Sequence, residues 1–369
     1  MMKAIAIRPG KAHSLELIER PEPEIEAPDQ IKLRVLRVGI CGTDREEVAG
    51  GRADAPEGAR QLVIGHELIG EVIDIGDEVR EVEIGDLATF TVRRACSRCQ
   101  PCAIDRSDMC QTGEYRERGI RGLDGYQTEF VVDTERYVVR IPRELEASGV
   151  LTEPLSIVEK AIDEALRIQF SRLPAALSTP DWIRGRRCLI AGIGPVGLLA
   201  ALALRVRGAT VCALDIVPED SPRPQWLKKI GGRYLNGKEI EPAQIRKSQG
   251  PFELLFEATG VPTLAFDLLE TLDYNGIYIM TGIPGNDKTI PLPAAEMMRD
   301  LVLDNQILIG SVNAAKGHFQ LAVDDLTTAN ERWPGLLEEL ITSQHRPEEA
   351  RALLEDHPTD EIKATIEWN

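Results

Sequence analysis

Two rhythms of apolar and polar positions divide this chain. Near its start, Ile31, Leu33 and Val35 alternate with Lys32 and Arg34, the period of a strand that turns one face to a core. Similar short runs recur at Val72, Ile73 and Ile75 and at Phe130, Val131 and Val132, each cut by glycine or charge. Short strands at this density over residues 31–140 predict a β-barrel-like domain. The N-terminus breaks at Pro9-Gly10 before a long apolar run forms, so it reads as a first strand and not as a signal peptide. After Pro154 the rhythm turns helical, with Ile157, Ala161, Ile162, Ala165, Leu166 and Ile168 on one face. Residues 173–180, rich in Pro, Ala and Ser, read as a linker.

Beyond the linker lies a βαβ pattern. A buried strand at 187–191 leads into Gly192-Ile193-Gly194-Pro195-Val196-Gly197, then an apolar helix at 198–207 and a second strand at 210–215 ending on Asp215. Further strands are expected at 254–258, 276–280 and 307–313, followed by a mixed tail. The fold class is α/β: a β-rich domain and a doubly wound parallel sheet.

Composition narrows the function classes. At 369 residues the chain is long enough for two domains with separate cores. Its 60 acidic and 43 basic residues give a net charge of −17, which repels phosphate backbones and anionic lipid heads. Nucleic acid and membrane are therefore not expected partners. Scattered Cys41, Cys188 and Cys212 suit a reducing compartment, with the cytoplasm as default.

Three groups of residues carry candidate chemistry. Cys96, Cys99, Cys102 and Cys110 have the spacing that lets tight turns aim four thiolates at one zinc, each at about 2.3 Å. A disulfide framework suits small secreted domains and not a chain of this size. In the glycine turn, Gly192 permits the bend, Gly194 lets the backbone approach a pyrophosphate, and Gly197 lets helix and strand pack. The turn follows a strand, opens a helix and has an acid about twenty residues on, the context that makes it a dinucleotide site. Asp215 would accept bonds from ribose hydroxyls and repel a 2′-phosphate, favouring NAD, while nearby Arg223 keeps NADP open. The third group, Cys41, His66, Glu67 and Glu153, is dispersed. Singly these residues read better as a core cysteine, a hydrogen-bonded turn histidine with its neighbouring acid, and a helix cap before proline.

Cys41-Gly42-Thr43-Asp44, Gly65-His66-Glu67, the four cysteines and the glycine turn, in this order, resemble the zinc-containing medium-chain alcohol dehydrogenases over nearly the whole chain. Narrower features resemble the archaeal-type glucose (aldose) 1-dehydrogenases within that family. They include Arg45-Glu46, Val92-Arg93-Arg94, Glu117-Arg118-Gly119, Glu153-Pro154-Leu155-Ser156, Glu257-Ala258-Thr259-Gly260 and Gly310-Ser311-Val312-Asn313. The resemblance implies a GroES-like catalytic domain at 1–184 with a structural-zinc lobe near 93–115. A Rossmann domain at 185–308 and a segment at 309–369 returning to the first domain would complete the chain. It implies two zinc ions per chain. One is catalytic, on Cys41 and His66, with Glu67 and Glu153 supplying oxygens or holding a water; the other is structural, on the four lobe cysteines. Asp44 would orient His66. Gly192, Gly194, Pro195, Val196, Gly197, Asp215, Thr259, Thr281, Gly282, Ile283, Ser311 and Asn313 would hold the cofactor, and Thr43, Glu117, Glu153 and Asn313 the sugar.

The implied reaction moves a hydride from C1 of a glucose- or galactose-like aldose to NAD(P)+, giving the aldonolactone, with zinc as Lewis acid and Thr43 passing on the hydroxyl proton. The alternatives are another secondary alcohol or polyol as substrate, or a cofactor-sensing or structural protein that kept the fold. One thiolate and two carboxylates would over-neutralise a divalent ion, so Glu67 and Glu153 are not expected to bind tightly together. Val92 and Leu303 stand where some sugar-binding members use an Asn and a His. Fewer hydroxyls would then be read directly, which relaxes discrimination among sugars. A homodimer or homotetramer is implied as well.

Overall fold

Strand Gln30–Ile40 pairs antiparallel with Glu67–Ile75, Phe130–Thr134 and Lys363–Glu367. The sheet continues through Leu87–Phe90 to Val138–Ile141 on one side and to Ile341–His345 on the other. The structure, a computed structural model, describes residues 1–173, 182–355, 358 and 361–368; apart from Leu173, the expected linker lies outside them. The alternation seen in sequence buries Ile31, Leu33 and Val35 with Leu68, Val72, Phe90 and Tyr126. Strand Lys363–Glu367 is buried from Lys363 through Ile366, so a polar side chain there must find its partner inside. A second sheet joins Glu16–Arg20, Met2–Ile7 and Leu62–Val63. A small sheet of Arg93–Arg94, Arg116–Arg118 and Gly122–Leu123 flanks the cysteine segment.

These elements belong to a compact unit of Met1–Ser156 with Asn313–Asn369; the other unit is Ile157–Val312. The divisions fall at 156/157 and 312/313, while the resemblance implies 184/185 and 308/309. Helix Thr152–Arg172 runs across the first division.

The second unit holds six parallel strands in the spatial order Arg233–Asn236, Thr210–Asp215, Arg187–Ala191, Phe252–Glu257, Leu272–Met280 and Ile307–Gly310. Chain order reverses between Arg187–Ala191 and Phe252–Glu257, the point at which doubly wound sheets open a ligand crevice. Helix Pro195–Val206 starts with Pro in its first turn and buries Gly197 through Leu204, a fully apolar stretch that suits a helix lying on a sheet. A Cβ on Gly197 would lie 1.9 Å from the Gly192 carbonyl oxygen, so any larger residue would push helix and turn apart. The last strand stops at Gly310, short of the expected 313; Asn313, at φ +63°, has left the extended region. Among the described residues no helix is long and apolar enough to cross a membrane.

Candidate functional site

Local chain geometry brings the dispersed candidate residues together. Cys41 caps helix Gly42–Val48: its Sγ accepts the Thr43 amide at 3.3 Å, and its own amide donates to Asp44 Oδ2 at 2.8 Å. This reciprocal cap fixes the thiol at a helix start. Gly65, at φ +89°, turns the chain just before strand Glu67–Ile75 begins, which frees His66 from strand alternation. Glu153 sits in the first turn of helix Thr152–Arg172. The ligand atoms of Cys41, Asp44 and His66 lie within 4.8 Å of one another, as do those of His66, Glu67 and Glu153. Cys41 Sγ is 3.2 Å from His66 Nε2, close to the ~3.5 Å that a sulfur and a nitrogen keep on a shared tetrahedral zinc.

The electrostatics of the cluster also suit a cation. Burial, with Asp44 beside it, pushes the Cys41 thiol up. Burial opposes charge on His66, but Cys41 and Asp44 outweigh it and hold the imidazole well above its usual range. Burial pushes the Glu153 carboxyl up to about 7, against the pull of His66. Crowded acidic ligands with depressed ionisation are what a divalent ion relieves. Asp44 Oδ1 lies 3.9 Å from His66 Nδ1, too far for a hydrogen bond, and both atoms are buried without partners. The contact Asp44 does make is the cap on Cys41.

Sequence reasoning missed Lys363. Its Nζ, on a side chain only 1% exposed, donates to both Glu67 carboxylate oxygens at 2.7 Å and to the Ile40 carbonyl at 3.1 Å. Gly39 faces Glu67 across the sheet, and a Cβ there would lie 2.0 Å from Glu67 Oε2. The one available signal was Gly39, a glycine among the β-branched residues at the end of strand Gln30–Ile40. Among the described residues no side chain donates to the Glu153 carboxylate.

The cysteine lobe has a different geometry. Its four sulfurs lie within 4.8 Å of one another, with Cys96–Cys99 at 3.6 Å and Cys99–Cys110 at 4.0 Å. Sulfurs at the corners of a zinc tetrahedron sit about 3.8 Å apart, whereas a disulfide would need about 2.05 Å. Thr112 and the Arg98 and Cys99 amides hold the Cys96 thiol down to about 5, while burial pushes the Cys102 thiol up to about 12; the sulfur spacing, not a shared acidity, is what suits a metal here.

The remaining expected residues fall into two groups. In the first unit, Asn313 Nδ2 donates to Glu117 Oε1 at 2.7 Å, and Thr43 is half-buried beside Cys41. In the second unit, Asp215 accepts the Ile193 amide at 2.7 Å and the Ile216 amide at 2.6 Å, tying the second strand to the glycine turn. Glu257, which sequence reasoning did not single out as a site residue, organises two loops. Its Oε1 accepts the Thr259 and Gly260 amides and the Thr259 hydroxyl, its Oε2 accepts the Gly282 amide, and its carbonyl accepts the Thr281 hydroxyl. Ile283 is 63% exposed, and Ser311 is buried with its hydroxyl unpartnered. Arg223 lies in the first turn of helix Pro222–Lys229.

Two family models match the chain: an alcohol dehydrogenase GroES-like domain over residues 27–143 and a glucose dehydrogenase C-terminus over residues 146–368. The sequence is similar to a glucose 1-dehydrogenase of Methanocella arvoryzae, 38% identical over 369 residues and 99% of each chain. It is similar to one of Thermoproteus tenax, 38% identical over 342 residues and 92% of each chain. The fold is similar to a solved structure of Haloferax mediterranei glucose dehydrogenase in complex with NADP, Zn and gluconolactone. That chain is 35% identical, with a TM-score of 0.87 covering 100% of this chain and 99% of the other.

Proposed function

Because the chain belongs to the zinc-containing medium-chain alcohol dehydrogenases and is closely related to the archaeal-type glucose 1-dehydrogenases, we propose that it oxidises an aldose at C1 to the aldonolactone. At the coarser level it is a zinc-dependent, NAD(P)-linked dehydrogenase acting on CH–OH groups. The observation that carries the reading is that Cys41 on one side and Glu153 on the other both lie against His66, while Lys363 holds Glu67.

When bound, zinc supplies a Lewis acid for the sugar hydroxyl and the nicotinamide a hydride acceptor. Cys41, His66 and Glu153 would hold the metal. Lys363 offsets the charge of Glu67, so the ligand set does not over-neutralise a divalent ion. Glu117 and Asn313 would orient sugar hydroxyls as a hydrogen-bonded pair, and the Thr43 hydroxyl would take up the proton of the C1 hydroxyl and pass it on. Val92 is buried and offers no side-chain hydrogen bond, and Leu303 is 67% exposed. Hydroxyl discrimination therefore rests on few groups, which favours use of more than one aldose.

NAD is the preferred cofactor in this reading. Asp215, Glu219 and Asp220 crowd carboxylates after the second strand, and such charge repels a 2′-phosphate. NADP is the second cofactor to assay, given Arg223 and the NADP in the Haloferax mediterranei structure. Seven free cysteines suit the cytoplasm. A homodimer or homotetramer is proposed from the resemblance. It is supported by the unpaired sheet edge at Ile307–Gly310 and by a helix, Ala294–Leu303, with no buried residue and Met298, Val302 and Leu303 exposed.

Initial rates with a panel of aldoses and secondary alcohols, under NAD+ and NADP+, test the reading. Aldose turnover that chelation abolishes is expected. Turnover of a polyol but of no aldose overturns it.

A further inference from the structure

Arg93 joins the cysteine lobe to the carboxylate assigned to the sugar. It is 7% exposed and stands on the short strand Arg93–Arg94, directly opposite Glu117 in the antiparallel register. Its Nη1 donates to the Asp108 carbonyl at 3.0 Å, while Nε and Nη2 donate to Glu117 Oε1 at 3.1 and 2.9 Å. Asp108 lies in the single turn Ser107–Met109, and the Ser107 carbonyl of that turn accepts the Cys110 amide at 3.2 Å. The fourth lobe cysteine and the anchor of Arg93 are thus one piece of chain.

The rest of the guanidinium is equally committed. Its Cζ lies 3.8 Å from the Tyr115 ring centroid, so the planar group has one face against an aromatic and two edges against different parts of the protein. Glu117 Oε1 takes a third donor, Asn313 Nδ2, at 2.7 Å. All three donors converge on Oε1. Among the described residues none donates to Oε2, which is not one of the buried unpartnered atoms and is the oxygen left for a ligand.

We infer that Arg93 is a positioning residue through which order in the cysteine lobe sets the carboxylate of Glu117 for sugar binding. The inference rests on the reading that Glu117 contacts the sugar. A metal on the four cysteines holds the 107–110 turn, the turn holds the Asp108 carbonyl, and Arg93, fixed at that end, cannot swing Glu117 Oε1 away from Asn313. Loss of the lobe metal releases the far end of the fork and lets the carboxylate rotate.

The test compares the full-length enzyme with Arg93→Gln, Arg93→Lys, Cys110→Ser, the Arg93→Gln/Cys110→Ser double variant and Glu117→Ala. Glucose binding to the enzyme with bound reduced cofactor is measured by calorimetry, and amide exchange is followed over residues 115–118. Arg93→Gln and Cys110→Ser should each weaken glucose about tenfold, the size of one charge-assisted hydrogen bond lost, with cofactor affinity unchanged. Arg93→Lys, which keeps charge but not the fork, should also weaken it. The double variant should bind no more weakly than either single, because both break one chain of contacts, and Cys110→Ser should speed exchange at 115–118. Full additivity, or wild-type binding by Arg93→Gln while Glu117→Ala binds poorly, overturns the inference. Unchanged binding by Glu117→Ala instead overturns the sugar-contact reading on which it stands.

Discussion

The cysteine lobe gathers four identical side chains from residues 96–110, whereas the dispersed cluster gathers Cys41, His66, Glu67 and Glu153 from three segments between residues 41 and 153. Three of the lobe sulfurs belong to half-buried residues, and local turns set their spacing. At the dispersed centre His66, Glu67 and Glu153 are buried, and their charges must be balanced inside the protein. Lys363 supplies that balance from a strand near the C-terminus. A closed thiolate site needs little beyond its own stretch of chain, while an open mixed-ligand site depends on distant parts of the fold.

The sharpest way to break this comparison is His66→Ala. Turnover should fall on the order of 10³-fold or more, and metal content should drop from two zinc ions per chain to one, the lobe keeping its own. Loss of both ions would show that the centres are not independent. Next in size is Lys363→Met, which leaves the Glu67 charge buried and unpaired. Urea unfolding should report a loss of about 3–5 kcal/mol, and adding Glu67→Gln should recover much of it. A loss below about 1 kcal/mol would mean that Glu67 needs no internal cation, as for an exposed pair.

The smallest expected effect concerns the ion pairs beside the lobe. Asp133 Oδ2 accepts from Arg94 and Arg118, each at 2.6 Å. Burial favours its neutral form, yet the two arginines win and hold the carboxyl down to about 2, against an ordinary 3.8. The folded-state value is the lower one, so the stabilisation is complete above 3.8 and is lost as pH falls through 2. Asp133→Asn should cost about 2 kcal/mol at pH 7, and the gap to wild type should close between about pH 4 and pH 2. A gap constant across that window would remove the ion pairs from the account of the lobe.

The features legible in the sequence were local ones. The alternation from Ile31, the glycine turn and the cysteine spacing each repeat a backbone requirement within a few residues, and each lies where the sequence predicts. Cys41, His66 and Glu153 became readable only through family resemblance, because each alone has a commoner explanation. Lys363 was not readable. A lysine in a strand ordinarily faces solvent, and its partner lies 296 positions away. Glu257 was legible only as part of a family motif and not as a site residue, because it acts mainly through backbone amides of Thr259, Gly260 and Gly282, which no side-chain pattern announces.

Gly39, Glu67 and Lys363 also set a rule for recombining this gene with its homologues. The three positions form one inheritance block although the chain separates them widely. A crossover that brings a larger residue to position 39 puts its Cβ 2.0 Å from the Glu67 carboxylate, and one that swaps Lys363 for an apolar residue strands that carboxylate. Chimeras that take all three positions from a single parent should therefore fold more often than others of equal overall identity.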